Sequence, residues 1–258
     1  MNDRAEKSGH VASLNGIDLY YEREGRGEPL LLLHGFSGWG GDWAHAGRGA
    51  FAREYDLVVP DARGHGRSGG LPGPFSHRQC ALDALALLDR LGVARCKAVG
   101  VSLGGNTLLH LASIEPARVE AMVLVSATMY FPEPARELMR RAGPEGLGDD
   151  ERRALRERHA GGEAQIEAIF RQARAFADDC DDMRFTPPAL SRIGARTLIV
   201  YGDRDPLYPV EMAVAMYRAL PRASLCVVPD AGHSPAFAGA ADAFVRTSLA
   251  FLRGGGAA

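Results

Sequence analysis

Two serines stand between glycines at the G-x-S-x-G spacing: Ser102 in "GVSLGG", residues 100–105, and Ser68 in "GRSGG", residues 66–70. With 31 glycines in 258 residues, one such match arises easily by chance, so context must separate the two. The chemical version needs a strand before the serine and a helix after it. The hydroxyl then rises on a sharp turn, and the glycines avoid collisions across it. "CKAVGVSLGGNTLLHLA" meets this requirement, and the N-terminus of the following helix points amide donors at the region above Ser102. "DARGHGRSGGLPGPF" does not, because glycines and prolines at 69, 70 and 72–74 forbid a helix. Ser102 is the candidate nucleophile, and Ser68 belongs to a supporting loop.

A serine hydroxyl needs a base, and the base needs an acid to orient it. Of eight histidines, His233 in "VVPDAGHSPAF" follows a strand and can hang over the end of a sheet. His110 lies within a helix and His65 in the loop of Ser68. His10, His45, His77 and His159 lack a strand-end context and default to the surface. For the acid, "YGDRDPLYP" offers Asp203 and Asp205 after another strand. Asp205 is the better candidate, since it sits in G-x-x-D-x-x-x-P spacing ahead of a helix that begins near Val210, and Asp203 fits a turn-fixing role.

These residues require a scaffold. "HVASLNGIDLYYERE" reads as a hairpin about Asn15-Gly16. "PLLLLHG", "YDLVVPD", "CKAVGV", "VEAMVLVSA", "ARTLIVYGD" and "SLCVVPDAG" are short apolar runs of the kind buried on both faces of a sheet. Helical periodicity lies between them, as in Ala81, Ala84, Leu85, Leu88 and Leu91. The expected fold is α/β: a mostly parallel eight-stranded sheet with helices on both faces. The alternation breaks once, after the sixth strand, at a charge-rich helical stretch. Residues 1–130 and 191–258 are expected to form the core and 131–190 a small helical cap, since long inserts in compact domains usually serve function.

Net charge is −2 and charged residues are 24%, which gives no basis for nucleic-acid or anionic-membrane binding. No apolar run approaches a membrane span. Residues 1–10 lack the apolar centre of a signal peptide, and the four scattered cysteines fit reduced thiols, so a cytoplasmic location is expected. The final "GGGAA" reads as a disordered tail. The composition is compatible with a monomer or a homo-oligomer.

The chain order Ser102, Asp205, His233, together with the elbow, resembles the α/β-hydrolase superfamily. "LLLHGFSGWGGDW" resembles that family's oxyanion loop and "PDARGHGRS" its D-x-R-G-x-G-x-S loop, so the resemblance spans nearly the whole chain. It implies an oxyanion hole from the backbone amides of Phe36 and Leu103, with His34 shaping the loop. It implies no metal and no cofactor. Trp39, Met129, Tyr130, Phe131 and Ile169 are candidates for an apolar substrate pocket. The expected activity is hydrolysis of a small-to-medium carboxylic ester through an acyl-enzyme on Ser102. Carbon–carbon bond hydrolysis, lactone hydrolysis and cofactor-free perhydrolysis use the same triad and stay open, as does a binding protein on a retired hydrolase fold.

Overall fold

Leu30 and Leu32 pack on one side of β3 (Glu28–Leu33), Leu31 and Leu33 on the other, and all four are buried. Such a run suits a strand covered on both faces. The computed structural model describes residues 8–70, 75–237, 239 and 241–254; residues 1–7, the prolines and glycine at 72–74 and the tail at 255–258 lie outside them.

The strands are β1 (Ser8–Leu14), β2 (Ile17–Gly25), β3, β4 (Tyr55–Pro60), β5 (Cys96–Val101), β6 (Val119–Val125), β7 (Arg196–Gly202) and β8 (Ala223–Val228). They form one sheet in the order β1-β2-β4-β3-β5-β6-β7-β8. The β1–β2 hairpin turns at Asn15-Gly16, and β2 pairs antiparallel with β4; all later pairings are parallel. The ends of β5, β7 and β8 therefore share one edge, and that edge collects the loops of Ser102, Asp205 and His233.

The helices are α1 (Arg48–Ala52), α2 (His77–Arg90), α3 (Leu103–Ile114), α4 (Glu133–Arg140), α5 (Asp149–Arg158), α6 (Gly162–Phe176), α7 (Pro187–Leu190), α8 (Val210–Ala219) and α9 (Ala241–Leu252). Leu85 and Leu88 of α2, Leu108 and Leu111 of α3 and Met212 of α8 cover one face of the sheet. Phe51 of α1 and Phe244 and Leu249 of α9 cover the other. The fold is thus the doubly covered, mostly parallel α/β sheet read from the sequence.

Between β6 and β7 the chain leaves the sheet for α4 to α7. This helical insert is bonded to the core loops. The Gly66 amide donates to His159 Nδ1 at 2.9 Å, and His159 Nε2 donates to the Ser37 carbonyl at 3.1 Å. Gln165 donates to the Gly64 carbonyl at 3.0 Å. His159 and His77 are buried and hydrogen-bonded, not on the surface as their sequence context had led us to expect. Four free cysteines are present; Cys80 and Cys96 are buried, and Cys180 is exposed.

Candidate active site

At Ser102 the backbone leaves β5 and enters α3 with φ 50° and ψ −109°, a region that residues with a Cβ rarely occupy. The surroundings force it to stay there. The Ser102 amide donates to the Val125 carbonyl at 2.8 Å, and the Asn106 amide returns to the Ser102 carbonyl at 2.9 Å. A Cβ at position 100 would lie 2.4 Å from the Gly104 carbonyl carbon, and one at 104 would lie 2.2 Å from the Leu33 oxygen. The two glycines thus let strand and helix approach close enough to lift the serine between them.

Asp205 and His233 come from the loops after β7 and β8. The Asp205 side chain is fully buried, and its Oδ1 accepts the amides of Leu207 at 2.8 Å and Tyr208 at 3.1 Å. Those bonds aim Oδ2 at His233 Nδ1, 2.8 Å away. His233 Nε2 is 2.8 Å from Ser102 Oγ. The histidine loop is itself held, by the Ser234 amide on Ser126 Oγ at 3.3 Å and by the Arg204 amide on the Ala231 carbonyl at 2.9 Å. Asp203 is exposed and stands outside this chain of contacts. The arrangement can pass a proton from the serine to the imidazole while the carboxylate holds the other ring nitrogen.

The loop after β3 brings Phe36 alongside. A Cβ on Gly35 would sit 3.8 Å from the Ser102 Cβ, so the loop passes directly beside Ser102. Among the described residues, neither the Phe36 nor the Leu103 amide donates to an acceptor of the chain. His34 is buried, with Nδ1 2.7 Å from the Gly35 carbonyl and Nε2 accepting the Ala62 amide at 2.9 Å. It fixes the loop and does not reach the serine. Ser68 is equally committed: its hydroxyl donates to the Asp61 carbonyl at 2.6 Å and accepts the Tyr20 amide at 2.9 Å. Asp61 in turn accepts the amides of Gly40 at 2.7 Å and Arg67 at 2.8 Å, which couples this loop to the segment that follows β3.

A cavity of about 190 Å³ opens beside Ser102. Its walls include Phe36, Leu103, Phe131, Leu138, Met139, Phe176 and Leu207, with His77, Asn106 and Tyr208 as the polar members. Of the residues expected from sequence to line a pocket, Phe131 does so. Trp39 lies elsewhere, with its ring 4.6 Å from the Arg67 guanidinium. Met129 is packed in the core, Ile169 is buried in α6, and Tyr130 is half exposed; none of the three lines this cavity.

Sequence reasoning missed His77 and Asn106. Asn106 sits one helical turn after Ser102, so the four-residue spacing was an available signal. His77 gave none, because its partner is 105 residues away in the insert. His77 Nδ1 is 2.6 Å from Asp182 Oδ2, and Asp182 also accepts the amides of His77 at 2.7 Å and Arg78 at 3.1 Å. Burial works against the charge on Asp182, but the hydrogen bonds from the His77 ring and the two amides outweigh it and hold its carboxyl below the usual range. The His77 ring packs between Phe176 and Phe131, at 4.8 and 5.7 Å between centroids.

Comparison with known proteins agrees with this architecture. Residues 28–165 match the sequence profile of the alpha/beta hydrolase fold family, and residues 171–257 match a profile described as TAP-like protein. The chain is 30% identical over 256 residues, 87% of this chain and 93% of the other, to RutD of Pseudomonas savastanoi pv. phaseolicola, whose name provisionally assigns it as a carbamate hydrolase. It is 29% identical to a 2-hydroxymuconate semialdehyde hydrolase of Pseudomonas putida, over 81% of this chain and 82% of that protein. A thermophilic esterase from Thermogutta terrifontis superposes with a TM-score of 0.74 at 26% identity, covering 96% of this chain and 98% of the other. With a profile matched over more than half its length and this degree of likeness to RutD, the chain belongs to the alpha/beta hydrolase fold family.

Proposed function

We propose that the protein is a serine hydrolase that cleaves a small-to-medium carboxylic ester through an acyl-enzyme on Ser102. The observation that carries this reading is the unbroken contact chain from Ser102 Oγ to His233 Nε2 and from His233 Nδ1 to Asp205 Oδ2, 2.8 Å at each step. His233 takes the hydroxyl proton as Ser102 Oγ attacks the ester carbonyl. The resulting oxyanion is received by the Phe36 and Leu103 amides; one such donor typically contributes about 3 kcal/mol to the transition state. As the C–O bond breaks, His233 gives the proton to the leaving alcohol. Water then repeats the sequence on the acyl-enzyme and releases the acid.

The cavity favours an ester over the carbon–carbon reading. The 2-hydroxymuconate semialdehyde named for one relative carries a carboxylate, and the walls beside Ser102 hold no lysine or arginine among the described residues. A carboxylate buried there would lack a charged partner. Turnover of 4-nitrophenyl acetate and butyrate, combined with a mechanism-based phosphonate whose adduct is mapped by mass spectrometry, tests the proposal. The expected result is ester turnover and a single adduct at Ser102. An adduct elsewhere, or binding without turnover, overturns it.

A further inference from the structure

His77, in the cavity wall, and Asp182 behind it repeat the relationship that His233 and Asp205 have beside the cavity. In both pairs the carboxylate is buried and meets Nδ1, at 2.6 Å for His77 and 2.8 Å for His233. The Nδ1 proton of His77 therefore points away from the cavity, into the insert, and Nε2 is left as an acceptor. The neighbour of that nitrogen is the Asn106 amide, whose orientation is fixed from behind: Asn106 Oδ1 accepts the Thr128 backbone amide at 2.9 Å, so Nδ2 must face His77. The Nδ2 to Nε2 separation is 3.4 Å, long for a hydrogen bond, so this pairing leaves Nε2 weakly satisfied. The Asn106 side chain also bonds the Tyr208 hydroxyl, and the second of its two amide protons is the one available to a ligand. Both line the same cavity as Ser102, amid Phe131, Phe176, Leu138 and Met139.

We propose that His77 Nε2 and Asn106 Nδ2 form a paired acceptor and donor that selects substrates bearing a hydroxyl on the acyl chain. The inference rests on the reading of Ser102 as nucleophile and extends it to the substrate. A hydroxyl donates to Nε2 and accepts from Nδ2 at once, whereas a ketone oxygen only accepts and a methylene does neither. The acyl chain is the part concerned, because His233, which protonates the leaving group, is not among the walls of this cavity. His77 acts here by contact with substrate and takes no part in the bond-breaking step. A role confined to clamping the insert onto α2 requires the Asp182 bonds but makes no difference between substrates.

The test is a set of ethyl esters followed by acid release: butanoate, 3-hydroxybutanoate and 3-oxobutanoate, and hexanoate with 3-hydroxy, 5-hydroxy and 5-oxo forms. Each hydroxylated ester is compared with its parent on the same enzyme, so a general loss of activity cancels. Sites built to bond a hydroxyl discriminate strongly against analogues lacking it. For at least one pair kcat/KM is expected to be about tenfold or more higher for the hydroxylated ester, with the oxo form between. In His77→Phe, which keeps an aromatic ring between Phe131 and Phe176, the ratio is expected to fall to about one. In Asp182→Asn, which frees the His77 tautomer, it is expected to fall part of the way. Parent esters turned over with no hydroxyl preference in any pair overturn this proposal and leave the serine hydrolase reading standing. A preference that survives His77→Phe also overturns it. If no ester, hydroxylated or plain, is turned over, the reading of Ser102 fails and this proposal fails with it.

Discussion

The Asp205 carboxylate is wholly shielded from water, while the His233 ring it holds at 2.8 Å remains about a fifth exposed. The carboxylate is thus locked by the fold, while the imidazole keeps an edge open to solvent. Exchanging Asp205 for Asn separates these roles. An Asn oxygen still accepts the Leu207 and Tyr208 amides, so the loop is expected to keep its shape. Its NH₂ then faces His233 Nδ1 and selects the wrong tautomer, and kcat for a 4-nitrophenyl ester is expected to fall about 10⁴-fold with little change in thermal midpoint.

Ser102 joins chemistry to strain. On the proposed mechanism Ser102→Ala removes the nucleophile, and it is expected to lower kcat by about 10⁴-fold or more. Ser102→Gly is expected to be equally inactive and to relieve the positive φ of 50°. Chemical denaturation is expected to find the glycine variant about 1 kcal/mol more stable than the alanine variant. Equal stabilities would mean that the turn at this position stores no strain.

Arg63 and Asp83 form a bidentate pair at 2.6 and 2.8 Å, with both side chains almost fully buried. Asp83→Ala leaves the guanidinium without its counter-charge and also removes the acceptor of Asn15 Nδ2. Urea unfolding is expected to record a loss of about 3–5 kcal/mol. Replacing both residues by apolar ones is expected to recover most of it, which a double-mutant cycle measures directly.

Acid sensitivity follows from histidines held neutral. Burial pushes His65 down to about 3 and His110 down to about 4, and it also lowers His159. Each has a folded value below the 6.5 of the free group, so the unfolded chain binds the proton more readily. The stability these groups contribute is complete above pH 6.5 and is lost as pH falls toward 4 and then 3. Between pH 6 and 4.5 the slope is expected to approach about 1.4 kcal/mol per pH unit for each fully neutral histidine. Urea midpoints measured across that range test this, and His110→Phe is expected to flatten the slope by about one proton.

What the sequence made legible was local. The strand-turn-helix context separated Ser102 from Ser68, and the strand-end positions of Asp205 and His233 followed from short apolar runs. The glycine pair at 100 and 104 marks a close approach that any reading of the turn requires. The cavity walls were not legible, because they depend on how the insert packs. Trp39 was expected in the pocket by proximity in sequence, but the Arg67 guanidinium draws its ring aside. Tyr130 stands at the start of the insert and turns outward, where Phe131 turns inward. His77 carries no strand-end signature, and nothing near it in sequence announces a carboxylate at 182.

That carboxylate has a bearing on how the protein can be re-engineered. Asp182 belongs to the insert, yet it closes the first turn of a core helix and steers a ring inside the cavity. A chimera that exchanges residues 131–190 for the corresponding stretch of another hydrolase removes both services in one cut. Such swaps should retain an acidic residue at 182 or redesign the start of α2 together with the graft.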